Sequence, residues 1–198
     1  MQRRVWRALR VLVFGGLLLA ACQAPLPPPP VYREITFTNE SPIALNVASI
    51  EVDDEYIPPL KRPNVDQEFP VRIAAVARRW AHDRLSAVGG ERTARVIIKD
   101  ASAVAVDLPK SVGLRGAFTN DQAVRYDARV EMIVEIRDDR GCPLATISST
   151  SLRSRSVTND ITLNDRDRVF YDMTAAMMRD EDAALDRNIH RYMPAYIR

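Results

Sequence analysis

"VRYDARVEMIVEIR", residues 124–137, is the stretch whose reading decides the architecture. Val124, Tyr126, Ala128, Val130, Met132, Val134 and Ile136 alternate with Arg125, Asp127, Arg129, Glu131, Glu135 and Arg137, and Ile133 breaks the pattern. Successive side chains of a strand point to opposite faces, so this spacing predicts a long strand with one dry and one wet side. Such a strand belongs to an antiparallel sheet, because strands of a parallel sheet are covered on both sides and read as continuous apolar runs.

Working outward, "DDRG" (138–141) supplies a turn, and residues 143–157 return as a serine-rich strand near an edge. Upstream, "ARVIIKDASAVAVDL" (94–108) is β-rich. Val96 and Ile98 are predicted to face the core, followed by Val104 and Val106 beyond a break near Asp100. Residues 32–56 predict one or two strands, with Ile35 and Phe37 and then Ile43, Leu45 and Val47 inward and a turn over 39–42. Residues 57–70 form a proline-punctuated connection.

Two segments carry a helical period instead. Over 71–88, Ile73, Ala77, Ala81, Leu85 and Val88 form a stripe widened by Val76 and Trp80, while Arg72, Arg78, Arg79, Asp83 and Arg84 lie mostly away from it. Pro70 suits the first turn and Gly89-Gly90 the stop. A second helix is predicted from Asn164, as cap, to about Tyr192, with Asp165 and Asp167 at its positive end. Its stripe is Phe170, Met173, Met177, Ala184, Leu185, Ile189, Tyr192 and Tyr196, and its length is on the order of 40 Å. The fold expected is α+β: an antiparallel sheet of about four to five strands with two helices packed on one face, within one domain over residues 34–198.

The amino-terminal segment has a different character. MQRRVWRALR carries four arginines and no acid, and the apolar run VLVFGGLLLA follows. That run is short of the roughly 20 residues a membrane-spanning helix needs, and it has the layout of an export signal. Residues Leu19-Ala20-Ala21-Cys22 resemble the bacterial lipoprotein box. The resemblance implies cleavage before Cys22, so that residues 1–21 are a signal peptide, and a covalent diacylglycerol and N-acyl chain on Cys22, with no other cofactor. Lipoproteins of that family kept at the inner membrane commonly carry Asp after the cysteine. Gln23 stands there instead, which implies the periplasmic face of the outer membrane. Residues 22–33 then form a lipidated tether, in which PLPPPP (25–30) favours an extended polyproline form of about 3.1 Å per residue. With this address, the predicted layout is similar to small envelope lipoproteins that assist lipopolysaccharide assembly or lipid transport, a likeness of architecture alone.

The whole chain of 198 residues has 28 Lys and Arg against 26 Asp and Glu. Without Arg3, Arg4, Arg7 and Arg10 the balance is 24 against 26, a charge of about −2. No basic surplus remains to suggest nucleic acid as a partner. With Cys22 acylated, Cys142 is left single and the core rests on packing.

Catalytic patterns are sparse. His82 and His190 sit on different helices without further ligands at metal-binding spacing, so no metal site is expected. The serines of SSTSLRSRS (148–156) lack a Gly-x-Ser-x-Gly turn, and GGERTA (89–94) lacks the lysine of a phosphate loop. Cys142 is expected to be an unreactive turn residue, since Asp138 and Asp139 oppose Arg140. The acid pairs Asp53-Asp54 and Glu181-Asp182 are expected on strand ends or a wet helix face. Met173, Met177 and Met178 are expected in the core rather than lining a lipid groove. The loop over 109–122 exposes Leu114, Arg115 and Phe118, the candidate contacts for an envelope protein partner or a lipid headgroup. The expected function is a non-catalytic, membrane-anchored accessory factor in outer-membrane assembly or transport. The alternative is an envelope hydrolase whose catalytic residues the sequence does not single out.

Overall fold

The computed structural model describes residues 30–109, 122–158 and 160–198. In chain order these form β1 (Ile43–Leu45), β2 (Ser49–Asp54), α1 (Ile73–Arg84), β3 (Leu85–Ala87), β4 (Thr93–Asp100), β5 (Ala103–Asp107), β6 (Gln122–Arg137), β7 (Pro143–Thr158) and α2 (Leu163–Tyr192). Single turns of 3-10 helix lie at Asp66–Glu68 and Pro194–Tyr196. The fold is α+β, and residues Val31–Arg198 form one compact unit.

Strand β6 is the spine. Its inward set Tyr126, Ala128, Val130, Met132, Val134 and Ile136 is buried, as the alternation requires. One edge pairs antiparallel with β7 along its length, through the Asp138–Cys142 turn, where Asp138 Oδ1 accepts from the amides of Arg140 and Cys142. The other edge is shared end to end by β4, opposite residues 131–137, and β5, opposite 124–128. Outside β4 lies β2, and outside β5 lies residue 64, with Val65 and Pro63 exchanging backbone hydrogen bonds of 2.8 Å with Ala103 and Ala105.

The sheet is mixed, not purely antiparallel: β2 runs parallel to β4, and β1 pairs parallel with β3 in a separate two-stranded piece. The crossover from β2 to β4 carries α1, as a parallel connection requires. Helix α1 is shorter than predicted. It ends at Arg84, and Leu85 turns to an extended backbone so that Leu85–Ala87 pairs with β1. Gly89 and Gly90, with φ of 113° and 114°, therefore follow a strand rather than stop a helix. The predicted strand through Ile35 and Phe37 does not form either, although Phe37 is buried and its amide donates to Asp83 Oδ2 at 2.9 Å.

The break near Asp100 reverses the strand phase. A bulge between Ile98 and Asp100 brings Ala103 opposite Ala128 and Ala105 opposite Tyr126. The two alanines thus share the inward face, and Val104 and Val106, predicted to face the core, stand opposite Asp127 and Arg125 on the outer side. The outer face also explains Ile133: it pairs across strands with Ile97, which is buried on that side. Around this apolar pair, Arg125–Asp127, Arg129–Glu131 and Arg137–Glu135 are ion pairs two residues apart along β6, at 2.9, 2.6 and 2.6 Å.

Both helices cover the other face. Helix α2 is capped by Thr162, whose hydroxyl accepts from the Asp165 amide at 3.1 Å, rather than by Asn164. Phe170, Met173, Met177, Met178, Leu185 and Ile189 are buried, whereas Tyr192, predicted inward, is exposed. Phe170 stacks on Phe69 with centroids 4.2 Å apart and meets Tyr126 edge-on at 4.7 Å, tying helix, connection and sheet together. Each fully buried aromatic or aliphatic side chain of this layer contributes about 1.5–3 kcal/mol relative to exposure.

Candidate functional site

Polar residues enter the helix–sheet seam along β7. Its inward side chains run Ala145, Ile147, Ser149, Ser151, Arg153 and Arg155, so the face changes from apolar to hydroxylic to cationic along the strand. Ser149 and Ser151 donate to Glu181 Oε2 of α2 at 3.0 and 2.7 Å. Glu181 is buried, contrary to the wet helix face expected for it, and its Oε1 has no partner among the described residues. Burial pushes its carboxyl above the ordinary range, and the two serine hydroxyls offset part of that rise.

Its neighbour Asp182 ties the helices to each other. Asp182 Oδ1 accepts from Trp80 Nε1 at 2.8 Å and from Arg84 Nε at 2.7 Å. Arg84 also donates to Asp186 Oδ1 at 2.7 Å and to the Ser41 carbonyl, and it is only 4% exposed. The sequence reading placed Arg84 away from the stripe. It lies four residues after Trp80, on the buried side, and is accommodated because every face of its guanidinium finds an acceptor.

Beyond the serines, the seam opens into a groove of about 550 Å³ between β7 and the first half of α2. Arg153 and Arg155 of β7 and Arg179 of α2 face Tyr171, Asp172 and Met173 there. Arg153 is ion-paired with Asp180. Arg155 and Arg179 are exposed and enter no ion pair among the described residues. Tyr32, at the start of the domain, packs on Tyr171 with centroids 5.1 Å apart and donates to the Asn164 carbonyl at 3.3 Å. The groove therefore lies beside the point where the chain enters the domain. The groove thus presents the guanidinium groups of Arg155 and Arg179, each able to donate two parallel hydrogen bonds, together with the carboxylate of Asp172.

No family model and no curated protein matches the chain. Among solved structures it is similar to a minor lipoprotein from Acinetobacter baumannii, at 15% identity and a TM-score of 0.38, over 75% of this chain and 92% of that one. It is also similar to a PelC dodecamer from Paraburkholderia phytofirmans, at 10% identity and a TM-score of 0.20, over 75% of this chain and 93% of that one. At TM-scores this low, neither likeness carries an argument about function.

Cys22 and the loop residues Leu114, Arg115 and Phe118 lie outside the described residues. Cys142 is exposed and free in the turn after β6. His82 is exposed on α1, and His190 contacts the Asp186 carbonyl at 2.9 Å one turn below. Met177 and Met178 are core residues, and Met173, also buried, borders the groove. Asp53 and Asp54 form ion pairs with Arg95 and Arg78. Among the described residues, no helix is long and apolar enough to cross a membrane, and no cluster of His, Cys, Asp and Glu could hold a metal ion. The groove arginines were missed, but the signal was present: Arg153 and Arg155 continue the period of two set by Ile147 and Ser149.

Proposed function

We infer that the chain is a non-catalytic accessory protein of the bacterial envelope, held by acyl chains on Cys22 at the periplasmic face of the outer membrane. There it binds an anionic partner, a lipid headgroup or an acidic protein surface, in assembly or transport. The observation that carries this reading is Leu19-Ala20-Ala21-Cys22 behind a basic and then apolar leader. One acyl chain holds a protein only marginally, and several on one residue hold it durably.

The groove supports the binding half of the reading. Tyr32 follows Cys22 by ten residues, so the tether spans at most about 35 Å, and the groove beside Tyr32 stays within reach of the membrane surface. Near an anionic bilayer each free guanidinium adds about 1 kcal/mol of attraction. The buried groups of the helix layer act as structural ties: Asp182 joins Trp80 to Arg84, and Glu181 joins α2 to β7.

Metabolic labelling with radioactive palmitate tests the anchor. The chain is expected to take up label and to sediment with membranes, and Cys22→Ala to do neither. An unlabelled parent chain, or label retained by Cys22→Ala, overturns the reading.

A further inference from the structure

The large apolar side chains that the fold leaves most open to water gather at one end of the sheet. Among the described residues the four most exposed are Val31, Ile57, Leu163 and Leu60, between 66% and 93% exposed. Single exposed apolar residues are ordinary, and a group of them marks a contact surface. Their chain neighbours hold them together. Tyr32, next to Val31, donates to the carbonyl of Asn164, next to Leu163. Arg62, two residues after Leu60, and Arg166, three after Leu163, are both ion-paired with Glu68, at 3.5 and 3.1 Å. The same end carries the close of β5 and β7 and the start of β6, since Asp107 stands opposite Val124 and Gln122 opposite Thr158. Asn64 bridges Val104 antiparallel, which carries the turn over Lys61–Asn64 to that end.

The backbone at Leu60 is held against its preference. Its φ of 56° is the one positive value at a non-glycine residue among the described residues. Bulky side chains seldom take this region, and such strain persists where the placement of the side chain is used. Pro58 and Pro59 stiffen the stretch between Ile57 and Leu60, so this apolar tip is already ordered before contact. The ionised groups between the tips are paired: Glu68 with Arg62 and Arg166, and Asp165 with the Thr162 hydroxyl at 2.7 Å. Arg33 and Lys61 are exposed, and their long stems let the charged heads stay in water while the tips go deeper.

The chain outside the domain names the occupant. Val31 closes the proline-rich segment that starts at Cys22, nine residues away, a span of at most about 32 Å. With acyl chains on Cys22, a bilayer is always within that distance, and its effective concentration at the tips is high. Four separate tips with charges between them lack the continuous apolar centre of a protein interface, whereas a fluid headgroup layer closes around each. We propose that Val31, Ile57, Leu60 and Leu163 dip into the boundary between headgroups and acyl chains and seat the domain end-on. The strands β6 and β7, 16 residues each, then stand away from the bilayer and carry the Asp138–Cys142 turn about 50 Å outward. This seating rests on the anchored reading for its delivery to the membrane, and it is driven by apolar burial rather than by the arginines of the groove.

Quenching by brominated lipid tests it. The background is the full chain with Trp6→Phe and Cys142→Ser, which leaves the buried Trp80 as its one tryptophan. The reporter is then introduced by Leu60→Trp, Leu163→Trp or, at the far turn, Arg140→Trp. Each chain is reconstituted in vesicles of phosphatidylcholine brominated in the upper acyl chain, with and without phosphatidylglycerol. If Cys22 proves unacylated, its thiol is coupled to maleimide-bearing lipid, so a failed anchor leaves the seating testable. Quenching at residues 60 and 163 should exceed that at 140 by about threefold or more, in both vesicle types and at high salt. Leu60→Asp should lower the quenching of Leu163→Trp by about half and leave its thermal midpoint unchanged, since Leu60 is exposed. Quenching at 60 and 163 no stronger than at 140 overturns the proposal. So does quenching confined to phosphatidylglycerol vesicles or abolished by salt, or quenching at 163 unaltered by Leu60→Asp.

Discussion

The Ser151 hydroxyl donates to Glu181 Oε2 at 2.7 Å, across the seam between β7 and α2. Because Glu181 titrates above its ordinary range in the folded protein, the native state holds a proton that the unfolded chain has lost. Its contribution to stability is therefore complete below about pH 4.3, declines as pH rises towards the raised value, and is level above it. Urea midpoints across pH should show Glu181→Gln gaining on the parent chain as pH rises. A constant difference would show that Glu181 is not the titrating group.

Arg84 links two helices that are about 100 residues apart in sequence. Arg84→Ala leaves the largely buried Asp182 carboxylate without its cation, and is expected to cost about 3–5 kcal/mol in chemical denaturation. Arg79→Ala, whose ion pair with Glu34 is exposed, should cost less than about 1 kcal/mol. Similar losses for the two would refute the buried-pair account.

The phase reversal at the bulge makes a paired prediction. Ala103 is fully buried, so Ala103→Leu overpacks the core and should cost about 1–3 kcal/mol. Val104 is on the outer face, and Val104→Thr should change stability by less than about 0.5 kcal/mol. The opposite ranking in thermal melts would return Val104 to the core.

Gly90 and Gly141 both have positive φ, but their surroundings differ. A Cβ on Gly90 would lie 2.8 Å from the Asn46 carbonyl oxygen, and one on Gly141 would meet nothing within 4 Å. Gly141→Ala should cost about 1 kcal/mol for the backbone alone, and Gly90→Ala clearly more, both read from urea titrations.

Reversing charge in the groove tests its role. In the Cys22→Ala background, the pair Arg155→Glu and Arg179→Glu should weaken adsorption to phosphatidylglycerol vesicles by about tenfold or more at low salt. Adsorption equal to that of Cys22→Ala alone would remove the groove from the membrane-facing surface.

The fold was legible where one pattern governed one element. Strand β6 and the stripe of α2 from Phe170 to Ile189 read directly, because each buries a single regular face. The pattern misled where tertiary pairing decides the backbone. Leu85 continues the helical stripe of α1, yet it is extended because β1 offers it a partner strand. One inserted residue between Ile98 and Asp100 exchanged the faces of all that follows in β5, and no composition signal marks such a bulge. Charged residues on buried stripes, Arg84 and Glu181, were assigned to water because charge usually is. Their acceptors and donors come from segments distant in sequence, which spacing does not reveal.

The ion pairs along β6 have an electrical consequence. Opposite charges less than 4 Å apart form small dipoles, and their fields cancel well inside the screening length of about 8 Å at physiological salt. Seen from a distance, the ladder side of the sheet is almost silent despite its many arginines. Arg155 and Arg179 lie on the opposite side and enter no ion pair among the described residues, so their fields are not cancelled in this pairwise way.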